Sequence, residues 1–195
     1  RVRILGDNCR KYKLPLFYVN QVGAQTEIIF DGGSLVFDDS GMLLDEMAYF
    51  SEDIKIYEFE DRKVKGFEPK VHDAQNDIHQ VHDALILGIR DYFQKSGFSK
   101  AILGLSGGID SALVCALAAE ALGPENVMAV LMPSEFSTDH SVQDALDLVK
   151  NLGCKHEIIP IREAASAFEN MMKPVFKDLP FNVAEENIQA RSRAI

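Results

Sequence analysis

The chain has 195 residues, room for one large domain or parts of two, and 47% of them are hydrophobic, which excludes a disordered tail. Its formal net charge of −10 disfavours broad electrostatic binding to nucleic acid or to anionic membranes. No apolar stretch approaches bilayer-spanning length and nothing resembles a secretory leader; Cys9, Cys115 and Cys154 are scattered without metal spacing, so a soluble cytoplasmic protein in a reducing compartment is expected. The start without Met and the stop at Ala194-Ile195, inside a helical pattern, suggest a section of a longer polypeptide.

A short helix is predicted up to about Lys13, followed through Pro15 by a β-rich run, Leu16 to Val22. Glu27–Phe30, Ser34–Phe37, Met42–Ala48 and Asp53–Phe59 alternate with turn signals at Asp31-Gly32-Gly33 and Asp38-Asp39-Ser40-Gly41, so residues 1–59 read as a meander of short strands. It has too few strands to bury both faces of a sheet, and reads as the rim of a β-rich domain. Residues 60–77 are polar, carry Gly66 and Pro69, and read as a linker. From 78 onward the pattern changes. A helix runs from Ile78 to Gln94, with Val81, Leu85, Ile89 and Phe93 on one side and Asp77 as its cap.

Three strand–helix alternations follow: strands Lys100–Leu105, Val127–Met132 and His156–Ile161, with helices Ser111–Leu122, Asp139–Leu152 and Arg162–Met172. Such an order implies an α/β fold, a doubly wound parallel sheet with helices on both faces. Its ligands belong at the carboxyl ends of the strands.

That is where Gly104-Leu105-Ser106-Gly107-Gly108-Ile109-Asp110-Ser111 stands, between a strand and a helix. A glycine-rich turn there can offer backbone N–H groups and the positive end of the helix to phosphates. Gly107 and Gly108 permit φ > 0 and close approach of a ligand. Ser106 and Ser111 add hydroxyls, and Asp110 facing phosphates makes most sense with a divalent cation between them. Gly-Lys-Ser/Thr is missing, so this is no Walker A loop. The segment resembles the PP-loop of ATP pyrophosphatases, which split ATP between its α and β phosphates.

Two further segments have competing readings. Leu131-Met132-Pro133-Ser134 ends the second strand; with Ser137, Thr138 and Asp139 it either caps the next helix or frames an adenine or ribose. His140 reads as a solvated side chain rather than a general base. In the last segment Asn187 and Arg191 share a helix face, and with Glu186 and Gln189 they make either a wet helix surface or a ligand contact.

Taken together, Leu16–Ser34 (LFYVNQVGAQTEIIFDGGS), the helix Ala84–Tyr92, the turn GLSGGIDSAL, Met132-Pro133-Ser134 and Glu185–Arg191 (EENIQAR) resemble glutamine-dependent NAD synthetases over nearly the whole chain. The resemblance implies that residues 1–59 are the C-terminal part of a nitrilase-like glutaminase domain and 78–195 the N-terminal part of the PP-loop synthetase domain. Such enzymes hydrolyse glutamine and pass the ammonia internally. ATP adenylates deamido-NAD with release of pyrophosphate, and ammonia displaces AMP to give NAD. On this resemblance Gly104, Leu105, Ser106, Gly107, Gly108, Ile109, Asp110, Ser111 and Ser134 bind ATP, and Asp110 holds Mg²⁺. Arg191, with Asn187 and Gln189, contacts deamido-NAD, a task suited to the two-pronged guanidinium.

The glutaminase Glu, Lys and Cys are expected upstream, so no catalytic residue is assigned here. Cys9 reads as a structural thiol without an adjacent base. The fragment alone is expected neither to hydrolyse glutamine nor to complete the synthesis. A homo-oligomer is implied for the full-length form, with no nucleic-acid or membrane partner. Two other readings stay open: another PP-loop enzyme, GMP synthetase-like or tRNA-modifying, and a nucleotide-binding module without catalysis. A tRNA enzyme would bring a basic surface, which this acidic chain lacks.

Overall fold

A computed structural model describes residues 1–70, 72, 77–134, 137, 139–177 and 183–193, the side chains of 77, 139 and 184–186 excepted. The chain divides into two units, Arg1–Gly97 and Phe98–Ile195. No helix among the described residues is long and apolar enough to cross a membrane.

In the first unit, helix α1 (Val2–Tyr12) ends where Lys13 turns left-handed at φ 53° and donates its N–H to Cys9 O. It lays Cys9, Leu5 and Val2 against Leu35, Phe37 and Leu43, a small core in which Phe37 is 1% exposed. Cys9 is part of that packing: burial pushes its thiol up, the opposite of an activated nucleophile.

The predicted meander is only partly realised. Strands β1 (Leu16–Tyr18), β4 (Leu35–Phe37) and β5 (Leu43–Glu46) form one antiparallel sheet in the order β1-β4-β5. Strands β2 (Val22–Gln25) and β3 (Ile28–Asp31) make a separate hairpin. The run Leu16–Val22 breaks at Asn20, whose Nδ2 donates to Asp31 Oδ1 at 2.7 Å and Gly32 O at 2.8 Å, and whose N–H donates to Ser34 Oγ at 3.0 Å. A side chain that ties down the end of another strand competes with continued ladder pairing.

Asp53–Glu58 forms no strand. Its alternation survives with polarity reversed: Lys55 and Tyr57 reach the 1%-exposed Asp45, while Ile54 and Ile56 are 92% and 91% exposed. The polar stretch after it contains the hairpin β6 (Phe59–Glu60) and β7 (Lys63–Val64), and Lys70 donates from its N–H to Leu43 O at 2.7 Å. Helix α2 (Asp77–Ser96) closes this unit and packs on β2 and β3. Asp77, expected as its cap, is its first helical residue.

The second unit follows the predicted order closely. Strands β8 (Ala101–Gly104), β9 (Val127–Leu131) and β10 (Lys155–Ile158) form a parallel sheet in the order β10-β9-β8. The crossovers contain α3 (Ile109–Leu122) and α4 (Asp139–Leu152); α5 (Arg162–Phe176) and α6 (Val183–Ser192) complete the unit. Helix α5 runs on through Pro174 to Phe176, four residues beyond the expected Met172, although Pro174 has no N–H to give the carbonyl four residues back.

Successive right-handed crossovers in one direction keep their helices on one side, and α3 and α4 touch each other and both touch β9. There the core assembles from Leu105, Cys115, Ala118, Ala119, Val127, Ala129, Leu131, Ala145 and Val149. The alternation of β9 follows, with Val127, Ala129 and Leu131 buried and Met128 and Val130 half-buried. Helices on both faces were expected, but Ile102, on the other face of β8, is 73% exposed.

Candidate functional site

The β8–α3 turn lies at the carboxyl end of the sheet, where strand twist opens a crevice. Leu105 is buried and donates its N–H to Val130 O at 2.9 Å, which pins the start of the turn to β9. Gly107 has φ +82°, and a Cβ there would lie 2.1 Å from Ser141 O, so backbone conformation and packing both require glycine. Gly108 is the N-cap of α3, with no side-chain cap bond. The first turn of a helix leaves N–H groups without intrahelical partners and concentrates positive potential there.

The two serines close the turn on itself. Ser106 and Ser111 hydroxyls stand 2.9 Å apart; Ser106 Oγ accepts from Gly108 N at 3.2 Å, and Ser111 Oγ accepts from Ser106 N at 3.2 Å and donates to Gly108 O at 3.0 Å. Each hydroxyl has a single proton to give. With that of Ser111 committed to Gly108 O, the Ser106 proton is the one a phosphate oxygen would recruit. Asp110 is exposed in the first turn of α3. Among the described residues no group of three or more His, Cys, Asp or Glu gathers as a metal site.

Beside the turn is a cavity of about 180 Å³, bordered by Gly104, Leu105 and Ser106 and by Met132, Pro133 and Arg193. Its far wall is the segment after β9. Ile161 N–H donates to Pro133 O at 3.1 Å, Ser134 N–H to Ser137 Oγ at 2.9 Å, and Arg193 Nε and Nη2 donate to Met132 O at 3.3 Å and Ser134 Oγ at 3.4 Å. Ser137 and Ser141 complete the rim. Thr138 is outside the described residues, and His140 is exposed.

The sequence-derived residues thus fall into two groups. Gly104, Leu105, Ser106, Gly107, Gly108, Ile109, Asp110 and Ser111 run from the end of β8 through the turn into α3, and Ser134 does not line the cavity but bonds to Ser137 and Arg193, which do. Asn187, Gln189 and Arg191 do not border the cavity: Asn187 and Arg191 are exposed, and Gln189 is 7% exposed. Arg193 is the arginine that does, and sequence reasoning passed over it. It follows Ser192, the last residue of α6, and donates its N–H to Gln189 O at 3.3 Å; nothing in the local sequence sets it apart from Arg191.

Comparison with known proteins accords with this geometry. A family model described as NAD synthase matches residues 81–195. The chain is 45% identical over 195 residues to the glutamine-dependent NAD(+) synthetase of Synechocystis sp. and 38% identical over 195 residues to that of Acinetobacter baylyi, with 99% of this chain covered in each case. It spans 35% and 36% of those two proteins, about a third of their length. A solved structure of the glutamine-dependent NAD+ synthetase from Acinetobacter baumannii, in complex with adenosine diphosphate, superposes with a TM-score of 0.91 at 37% identity, covering 99% of this chain and 37% of that one. A turn of this build on a parallel sheet, together with a family match over more than half its residues, means that the chain belongs to the NAD synthase family.

Proposed function

We propose that the protein to which this chain belongs is a carbon–nitrogen ligase that converts deamido-NAD to NAD at the expense of ATP, using ammonia released from glutamine. The observation that carries the proposal is the serine-glycine turn from Ser106 to Ser111 at the mouth of the cavity, in a member of this family. The adenosine diphosphate held by the A. baumannii relative supports an adenine nucleotide as the ligand. Residues 1–59 are assigned to the C-terminal edge of a glutaminase domain and 78–195 to the front of the synthetase domain; the family match beginning at 81 supports the second assignment. The three free, buried thiols suit a cytoplasmic setting.

The chemistry demands what the turn offers. A carboxylate is a poor acyl donor, and transfer of AMP to it creates a leaving group that ammonia can displace. Charge builds on the departing pyrophosphate, and donors fixed in advance at the head of α3 stabilise it without reorganising. The peptide groups of the turn hold the phosphates, the Ser106 hydroxyl donates to one of their oxygens, and Arg193 steadies the wall against which the base or ribose rests. Mg²⁺ is commonly held by one or two carboxylates together with phosphates and water. Asp110, a single exposed carboxylate at the same helix start, fits that donor set and would hold the ion. When bound, it neutralises phosphate charge. Asn187, Gln189 and Arg191 are assigned to deamido-NAD, and the exposure of Asn187 and Arg191 leaves both accessible to it.

The test uses the full-length protein with ATP, Mg²⁺, deamido-NAD and glutamine, following pyrophosphate and NAD. Formation of both in equal amounts is expected. Pyrophosphate released only with a different acceptor would reassign the protein to another ATP pyrophosphatase, and tight ATP binding without turnover would make it a nucleotide-binding module.

A further inference from the structure

The far wall of the cavity beside the β8–α3 turn is bonded to the last two helices of the second unit. Pro133 O accepts from the N–H of Ile161, the N-cap of α5, at 3.1 Å. Met132 O and Ser134 Oγ accept from Arg193 Nε at 3.3 Å and Nη2 at 3.4 Å, just past the end of α6. Helices α5 and α6 pack on each other, so the wall and the two helices make a closed frame. Both Arg193 bonds are longer than the usual N–H···O limit of about 3.2 Å. The other guanidinium N–H groups have no partner among the described residues, and the side chain borders the cavity. An oxygen of a bound nucleotide can recruit them and draw Arg193 against the wall.

Arg193 is tied to α6 through its own backbone. Its N–H donates to Gln189 O at 3.3 Å, which carries the helical bonding one residue beyond Ser192. Gln189 and Ser192 are each 7% exposed, and Ser192 Oγ donates to Ile188 O at 2.8 Å. At about 3.6 residues per turn, Asn187 and Arg191 fall on the opposite side of the helix, and both are exposed. Helix α6 is therefore packed on one side, open on the other, and fastened to the cavity wall at its end. A shift of Arg193 moves a short rod whose open side carries Asn187 and Arg191.

We propose that Arg193 is a positioning residue through which ATP and deamido-NAD strengthen each other's binding. This rests on the function proposed above, in which the cavity takes ATP and Asn187 and Arg191 meet deamido-NAD. ATP in the cavity fixes the guanidinium against Met132 and Ser134, which sets α6 in place and presents its open side to the dinucleotide. By linkage the effect runs equally in reverse, and deamido-NAD on α6 tightens the cavity for ATP by the same factor. The doubly filled site, the one that can form the adenylate, is favoured over either half-filled one.

The experiment uses full-length wild type, Arg193→Met and Arg193→Lys, with Mg²⁺ and α,β-methylene ATP, which cannot be split between its α and β phosphates. Calorimetric titration gives the Kd of this nucleotide with and without saturating deamido-NAD, and the Kd of deamido-NAD with and without the nucleotide. In wild type each ligand is expected to lower the Kd of the other about tenfold, within the usual range for coupling between sites. In Arg193→Met that factor is expected to fall to about twofold or less, while deamido-NAD alone binds as it does to wild type. Lysine keeps the charge without the fork and is expected to retain part of the factor. A merely structural role would weaken each ligand alone and leave the factor in place. If Arg193→Met does not fold, Arg193→Lys carries the same comparison. No mutual effect in wild type, or the full effect in Arg193→Met, would overturn the coupling alone. A wild type that binds neither ligand and makes no NAD would overturn the function and the coupling with it.

Discussion

Gly107 and Ser141 touch backbone to backbone: a Cβ on the glycine would fall 2.1 Å from the serine carbonyl oxygen and 2.7 Å from its carbonyl carbon. This contact fastens the β8–α3 turn to the first turn of α4, so main chain from both borders the cavity. Gly108 differs, with φ −85° and its nearest neighbour to a Cβ at 3.4 Å, the Ser106 hydroxyl.

The two glycines therefore separate folding from binding. Gly107→Ala forces a left-handed alanine and a clash, and is expected to destabilise the nucleotide unit by about 2 kcal/mol or more. Gly108→Ala is expected to leave the melting temperature nearly unchanged and to weaken ATP, because its methyl group enters the space through which phosphates approach the helix start. Thermal unfolding and ATP titration of both variants check this. Equal melting temperatures for the two would refute the packing argument.

Much of this site was legible in the sequence because it depends on local rules. A strand, a glycine turn and a helix in succession fix where N–H groups point, and Ser106, Gly107 and Ser111 stand where that pattern puts them. The wall at Met132–Ser134 was legible as a place in the fold, although its fastening was not. Arg193 reaches it from just past the end of α6, far along the chain, and no local pattern distinguishes that arginine from Arg191. In the β-rich unit Leu16–Val22 reads as one strand, yet the remote partners of Asn20 interrupt it. Asp53–Phe59 reads as a strand, yet Asp53–Glu58 forms none: Lys55 and Tyr57 bond to the buried carboxylate of Asp45, and Ile54 and Ile56 are exposed. Non-local polar contacts overrule hydrophobic alternation at these places.

Asp110 makes a sharper test of function than of fold. It is exposed, and surface substitutions away from special features usually change stability by about 0.5 kcal/mol or less. Asp110→Asn is expected to keep wild-type stability and to lower turnover by on the order of a hundredfold, as loss of a charge-stabilising group does. Steady-state rates across a Mg²⁺ titration provide the check. Unchanged rates at limiting Mg²⁺ would remove Asp110 from the metal assignment.

Arg191 and Arg193 are expected to part company in kinetics. Arg193 holds Met132 O and Ser134 Oγ at the cavity wall, so Arg193→Met should raise the KM for ATP about tenfold, with a smaller effect on deamido-NAD. Lysine at 193 keeps charge without the fork and should recover only part of the loss. Arg191→Lys should act on the KM for deamido-NAD instead. Interchanged effects would show that the two arginines have been assigned the wrong ligands.

Asp45 governs an acid-sensitive contribution to stability in the β-rich unit. Its side chain is 1% exposed and accepts hydrogen bonds from Lys55 at 2.8 Å, Lys70 at 2.7 Å and Tyr57 at 3.0 Å. Burial by itself pushes the carboxyl up, but the bonds from Lys55, Lys70 and Tyr57 outweigh it and hold it far below the usual carboxylate range. Burial and the Asp45 hydrogen bond push the Tyr57 hydroxyl up to about 12. A carboxyl depressed in the folded state favours folding at all pH values above its unfolded value, near 3.9, and loses that contribution as pH falls toward the folded value. The lysines are 36% and 52% exposed, so solvent weakens the attraction, and Asp45→Asn is expected to cost roughly 2 kcal/mol at neutral pH. In urea unfolding the gap between wild type and Asp45→Asn should stay constant from about pH 7 to pH 5 and shrink below about pH 4. A gap that persists undiminished at about pH 2 would mean that the lost shape of the contact, and not its charge, sets the cost.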